Sequence, residues 1–173
     1  QAMNIPILTL EGYEADDILG TVAKHCQAEG IEVSIVSGDR DLLQLADEHI
    51  KIRIPKTSRG TTNIYDYYPD DVKREYQVTP TEFIDVKALM GDASDNIPGV
   101  PSIGEKTATN LIVTYGSIEN AYDHVSEIKP PRAQKSLMEH YDMAQMSKEL
   151  AAICITCPIP FSYEDALIGN LYT

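Results

Sequence analysis

The chain has 173 residues, 43% hydrophobic and 24% charged, which suits one ordinary soluble domain with a real core and at most a small appendage. No apolar run approaches the roughly 18 residues of a membrane span, and Gln1-Ala2-Met3-Asn4 gives no basic start before an apolar stretch, so neither a membrane role nor a secretory signal is expected. Twenty-seven acids against 14 bases leave a formal charge of −13. That argues against the indiscriminate grip on nucleic acid of a basic domain, unless carboxylates are spent on cations, which reverse the local field. Three cysteines make no disulfide framework and fit a reducing interior.

Residues 4–10 (NIPILTL) form a short apolar run suited to a buried strand. Residues 14–29 carry Ile18, Leu19, Val22, Ala23 and Cys26 at helical spacing, with Gly30 as the stop. Residues 32–37 (EVSIVS) lack alternation and read as a parallel strand covered on both faces. A short helix over 41–47 follows, and strand–helix–strand–helix is the α/β order. Residues 50–65 read as a hairpin around Thr57-Ser58-Arg59-Gly60. Beyond Pro69 the pattern is helical, over 70–76, 80–90, 105–114, 117–125, 133–141 and 143–153. The chain thus divides into an α/β part, 1–68, and an all-helical part, 69–173, near Pro69 or Pro80. A two-strand parallel sheet buries its faces poorly, and the chain begins at a strand without an initiator methionine, so it is expected to be a fragment.

The acids cluster where elements end. Glu14, Asp16 and Asp17 open the first helix, Asp39 and Asp41 follow the second strand, and Asp92 and Asp95 lie in Gly91-Asp92-Ala93-Ser94-Asp95-Asn96. In an open α/β sheet that edge is where ligands bind. Seven carboxylates aimed at one spot repel each other unless cations hold them, and hard oxygen donors select Mg²⁺ or Mn²⁺ over zinc. Each group also has a plain structural reading: helix capping for the first, solvated turns for the others.

Residues 97–111 read IPGVPSIGEKTATNL. A glycine turn feeding a helix presents backbone N–H groups and a positive dipole end, a phosphate site that needs no base recognition. Lys106 adds a charge-assisted contact, and an ordinary glycine joint between helices is the alternative. Lys87, Lys129, Arg132 and Lys135 are further cations for such a grip, the last three reading more readily as solvated helix surface. Arg40, between two aspartates, reads either as a phosphate clamp or, slightly preferred, as charge balance. Cys154-Ile155-Thr156-Cys157 has zinc-like spacing without a second ligand pair and is not read as a zinc site.

GYEADDILGT (12–21), VSGDRDLLQL (36–45), KALMGDASDNIPGVPSIGEKTA (87–108) and YGSIE (115–119) resemble the 5′ nuclease domain of bacterial DNA polymerase I, itself similar to the flap endonucleases. The resemblance runs in order over nearly the whole chain. It implies a PIN-like α/β core with a parallel sheet, incomplete at its N-terminus, then a helical region with a helix–3-turn–helix element over about 87–125. It implies two-metal hydrolysis of DNA phosphodiesters at 5′ ends, flaps and duplex junctions, in a bacterial cytoplasm beside the nucleoid, with a polymerase domain in the same parent chain and no membrane. Glu14, Asp16, Asp17, Asp39 and Asp41 match catalytic metal-binding acids, and Asp92 and Asp95 complete the metal set. Gly99, Val100, Ser102, Ile103, Gly104, Lys106 and Thr107 match the duplex-gripping hairpin. On this reading Glu14, Asp16 and Asp17 hold one ion, Asp39 and Asp41 contribute between the two, and Asp92 with Asp95 tunes the second.

Two departures stand out. The family usually has glycine where this chain has Ser102. The family's first portion, with its first core strand, two more aspartates and an arch, has no counterpart in this sequence. The alternatives are therefore a non-catalytic DNA-binding fragment and, less well supported by the hairpin, a Mg²⁺-dependent small-molecule phosphohydrolase.

Overall fold

The computed structural model describes residues 5–167. Helix α1 (Ala15–Ala28) starts where the Asp17 carboxylate accepts the Glu14 N–H at 3.1 Å, an acidic first turn that suits the helix dipole. It buries Ile18, Gly20, Ala23 and Cys26, and Gly30 ends it with φ +74. Gly20 is closely packed: a Cβ there would meet Ile153 Cγ2 at 3.0 Å and Ile155 Cγ2 at 3.3 Å, so residues 153–155 lie against this helix.

Strand β1 (Val33–Val36) pairs parallel with β2 (Ile50–Ser58), which pairs antiparallel with β3 (Thr61–Tyr67), giving the order β1-β2-β3. β2 alternates cleanly, with Ile50, Ile52 and Ile54 fully inside. A 3₁₀ turn (Arg40–Leu45) joins β1 to β2 and buries Leu42, Leu43 and Leu45 beneath the sheet.

Three expectations are corrected here. Of the strand expected over 4–10, Asn4 lies outside the described residues, and 5–10 form no strand: among the described residues they have no neighbouring strand to pair with, and Ile5 and Ile7 stay 53% and 71% exposed. The parallel pair is consequently β1 with β2, and the hairpin belongs to the same sheet, which is mixed and three-stranded. β1 is covered on one face only, with Ile35 buried and Val36 64% exposed.

The helical region runs through α2 (Pro69–Tyr76), α3 (Pro80–Met90), α4 (Glu105–Tyr115), α5 (Ile118–Asp123), α6 (Pro131–Glu139) and α7 (Tyr141–Ala151). Prolines at the first positions of α2, α3 and α6 forfeit an N–H that has no intrahelical partner anyway. Thr79 and Glu82 cap α3 reciprocally, and Ser117 accepts the Asn120 N–H at the start of α5. No described helix is long and apolar enough to cross a membrane.

Two cores result. One gathers Ala23, Ile35, Leu42, Leu43, the β2 isoleucines and Val72 around the sheet. The other gathers Val78, Leu89, Ile112, Ile118 and Leu137 among the helices. Tyr76 and Phe83 touch both, stacked edge to face at 5.2 Å, and so join the two parts.

The connection from α3 to α4 depends on two glycines. Gly99, at φ +67, lies so close to Gly91 that a Cβ would sit 2.5 Å from the Gly91 nitrogen. Gly99→Ala therefore combines a left-handed penalty of about 1–2 kcal/mol with overpacking of about 1–3 kcal/mol. We expect a loss of about 3 kcal/mol in urea unfolding; a loss below about 1 kcal/mol would contradict this packing.

Candidate metal-binding cleft and glycine turn

The three acidic groups come from separate ends of structure and reach one place. Glu14, Asp16 and Asp17 sit on the N-terminal turn of α1. Asp39 follows β1 and caps the 3₁₀ turn, its Oδ1 accepting the Asp41 N–H at 2.9 Å, which sets both side chains at the sheet edge. Asp92 and Asp95 follow α3, in a loop closed by the reciprocal Asp92–Ile97 backbone bonds of 2.9 and 2.8 Å. Glu14, Asp16, Asp17, Asp39, Asp41 and Asp95 line a single open cleft of about 520 Å³, which residues 149–154 also line. Asp92 lines a neighbouring groove, together with Asp41 and Lys87.

Lys87 divides these two spaces. It is only 5% exposed, and its Nζ donates to Asp95 Oδ2 at 2.7 Å and to Asp41 Oδ2, with Asp92 Oδ2 at 3.4 Å. Burial alone would lower the ammonium's pKa, but its bonds to Asp41 and Asp95 outweigh that and hold it above the usual lysine range. The expectation that Lys87 grips DNA is thereby corrected, since its charge is turned inward onto three carboxylates. A lysine among apolar neighbours in the last turn of α3, followed by aspartates five and eight residues later, was the available signal. Arg40 does balance charge, but against Glu75 at 3.3 Å rather than against its flanking aspartates.

The electrostatics of the cleft are those of crowded anions. Burial, and then Asp39, Asp41, Glu14 and Asp17, raise the Asp16 pKa above its ordinary 3.8. Asp41 is also raised, by burial, with Lys87 pulling against it. Asp92 goes the other way, lowered by hydrogen bonds from the Ser94 side chain and backbone.

A carboxyl whose folded pKa is raised holds its proton more tightly when folded. Its contribution is most favourable below 3.8 and is lost as pH rises through the folded value. In EDTA at pH 7, Asp16→Asn should therefore raise Tm, by about 2–4 °C for each kcal/mol of repulsion relieved. The gain should vanish below pH 3.8, and a lower Tm for the variant at pH 7 would refute the crowding.

Among the described residues no three His, Cys, Asp or Glu side chains close on one point. Asp17 is held by the Glu14 and Cys154 N–H groups, the latter at 2.8 Å, while Asp41, Asp92 and Asp95 are drawn to Lys87. The donor chemistry nevertheless fits a hard divalent cation, because every charged group facing the cleft except Lys87 is a carboxylate. Glu14, Asp16, Asp39 and Asp41 are the groups that could hold one. The Cys154 contact had no local signal in the sequence, coming from 137 residues away.

The glycine turn (97–104) lies just beyond the Asp92–Asp95 loop. Its inner half packs inward: Val100 and Ile103 are core residues, Gly99 N–H donates to the buried Ser147 Oγ at 3.1 Å, and Val100 N–H to the Leu89 carbonyl at 2.8 Å. These N–H groups shape the turn and do not face solvent. The outer half does: Ser102, Gly104 and Lys106 are exposed and Thr107 half-exposed, at the start of α4.

An acid-lined cleft at the edge of an α/β sheet, followed by a glycine turn entering a helix, defines the PIN-like 5′-nuclease class of fold. A zinc-bound T5 5′-exonuclease superposes with TM-score 0.73 and 26% identity over 86% of this chain and 53% of that one. A bacteriophage T5 flap endonuclease, solved as a pseudo-enzyme–product complex with DNA and metal ions, superposes with TM-score 0.71 and 25% identity over 85% and 52%. The chain belongs to the 5′-3′ exonuclease family: residues 1–77 match its N-terminal resolvase-like domain and residues 78–172 its C-terminal SAM fold. It is 48% identical to DNA polymerase I of Bacillus caldotenax and 46% identical to that of Bacillus subtilis, over 95% and 93% of this chain. It spans only 19% and 18% of those proteins.

Proposed function

We propose that this chain forms the metal-bearing and duplex-gripping part of a 5′-3′ exonuclease of a DNA polymerase I, acting on 5′ ends and flaps by phosphodiester hydrolysis. The observation that carries the reading is the meeting of carboxylates from residues 14–17, 39–41 and 95 in one cleft beside the glycine turn. Glu14, Asp16, Asp17, Asp39 and Asp41 are the catalytic ligands on this reading, with Asp92 and Asp95 completing the metal set. Mg²⁺ or Mn²⁺, two ions in the complete domain, would neutralise the phosphate and lower the pKa of a bound water. Asp39 would orient Asp41 through its cap, and Asp17 would fix the start of α1 against residues 149–154. The outer half of the turn, Ser102, Gly104, Lys106 and Thr107, would hold backbone phosphates and so select DNA shape over sequence. Gly99, Val100 and Ile103 would support that half from inside.

One observation favours a second reading for the chain by itself, a structure-specific DNA-binding piece without catalysis. Lys87 already neutralises Asp41, Asp92 and Asp95, and no three acids among the described residues share a point. The test is cleavage of a 5′-flap duplex in Mg²⁺ and in EDTA, by this chain and by the longer protein. Mg²⁺-dependent cleavage by the longer protein, with little or none by this chain, is the expected result. A longer protein that leaves the flap intact in Mg²⁺ would overturn the nuclease reading.

A further inference from the structure

The outer half of the glycine turn contains a residue that backbone geometry alone does not favour. Ser102 occupies the left-handed region at φ +66, where an L side chain is disfavoured and glycine is the usual choice. Its hydroxyl is not idle: Ser102 Oγ accepts a hydrogen bond from Arg132 Nε at 3.0 Å. Arg132 lies in the first turn of α6, thirty residues further on. One helical turn along the same helix, the Ser136 hydroxyl donates to the Pro101 carbonyl. Two successive turn residues are thus tied to two α6 side chains four residues apart, which fixes where α6 meets the turn.

That arrangement aims the guanidinium. With Nε engaged by Ser102, the planar group is tethered at the exposed side of the turn, and its terminal nitrogens make no hydrogen bond among the described residues. Arg132 is exposed and takes part in no salt bridge among the described residues, whereas the neighbouring Lys135 is paired with Glu139. The exposed Lys106 stands on the same outer half of the turn. A fork of N–H donors in a fixed plane matches a phosphate far better than a mobile ammonium does.

We infer that Arg132, held by Ser102, is a phosphate-binding residue for the duplex backbone at the glycine turn. The side-chain pair supplies a contact that a glycine at position 102 would leave to the backbone. This selects the phosphate grip for a residue whose sequence reading lay between that role and solvated surface, and it rests on the proposed DNA function.

The experiment is the salt dependence of duplex binding in EDTA, by fluorescence anisotropy between 50 and 200 mM salt, with Tm measured on every variant. Arg132→Gln keeps an amide donor for Ser102 and removes the charge, while Arg132→Ala removes both. Each should lower the slope of log K against log salt by about 0.9, so that affinity falls about tenfold at 50 mM and about threefold at 200 mM. Ser102→Ala should weaken binding in the same direction, and Ser102→Ala with Arg132→Ala should be no weaker than Arg132→Ala alone. A wild-type slope in Arg132→Gln would overturn the inference and leave Arg132 a strut for the turn. A wild-type chain with no salt-dependent duplex binding would overturn the DNA reading itself, and this inference with it.

Discussion

In the longer nuclease proposed above, Asp39→Asn should lower Mg²⁺-dependent cleavage of a 5′-flap substrate by at least about 10²-fold while Tm moves by less than about 2 °C. The two halves of this expectation have separate grounds. Asp39 is exposed, and its only described structural task is to accept the Asp41 N–H, which an asparagine oxygen can also do. Folding should therefore hardly register the change. Its charge, however, belongs to the group around Asp16, and losing even a partner of a metal ligand typically costs 10–100-fold, so losing a ligand costs no less. Asp17→Ala is the less clean variant, because Asp17 also accepts the Glu14 and Cys154 N–H groups, and its loss would remove one tie between α1 and Cys154. Near-normal cleavage by Asp39→Asn would remove Asp39 from the ligand set.

Lys87→Met should be the most destabilising change in the cleft. It leaves Asp41, Asp92 and Asp95 without their shared cation in a partly desolvated place. Breaking a buried pair costs about 3–5 kcal/mol, and the water contact of Asp41 and Asp95 reduces this to about 2–3 kcal/mol. For a chain of this length that lowers Tm by roughly 4–12 °C. The sign with pH follows from the carboxylates: their repulsion disappears on protonation, so the deficit should shrink as pH falls toward 4. Added Mg²⁺ should raise the variant's Tm more than the wild type's, since an ion can take up the position of the lost charge. A Tm within about 2 °C of wild type at pH 7 would mean that Lys87 does not hold the cleft together.

The helical half of the molecule was legible because its signals are local. Pro69, Pro80, the Thr79–Glu82 box and the 3.6-residue spacing mark α2 and α3 within one or two residues. Sheet pairing is not local, so residues 4–10 read as a strand on apolarity alone, while the structure gives 5–10 no partner and pairs β1 with β2 across the leucine-rich turn. In the cleft, the residue types and their positions at element ends were readable, because caps and turns put acids there. What carboxylates do to one another across 25 to 80 residues was not, and Lys87 shows the cost: a cation near a glycine turn reads as a phosphate contact until its burial is known. The turn shows the same limit. Gly99 reads as a phosphate-facing glycine, yet its N–H is committed to Ser147, and the 2.5 Å approach to Gly91 together with φ +67 explains why no side chain fits there.

Paramagnetic broadening by substoichiometric Mn²⁺, followed in the amide spectrum of this chain, asks whether distant acids share a cation. If they do, signals from residues 14–17, 39–41 and 92–96 weaken together at the lowest Mn²⁺ additions, and Asp16→Asn diminishes the effect at all three segments. Broadening confined to one segment, or spread first over acids far from the cleft such as Glu48 and Glu164, would mean that no common ion site exists.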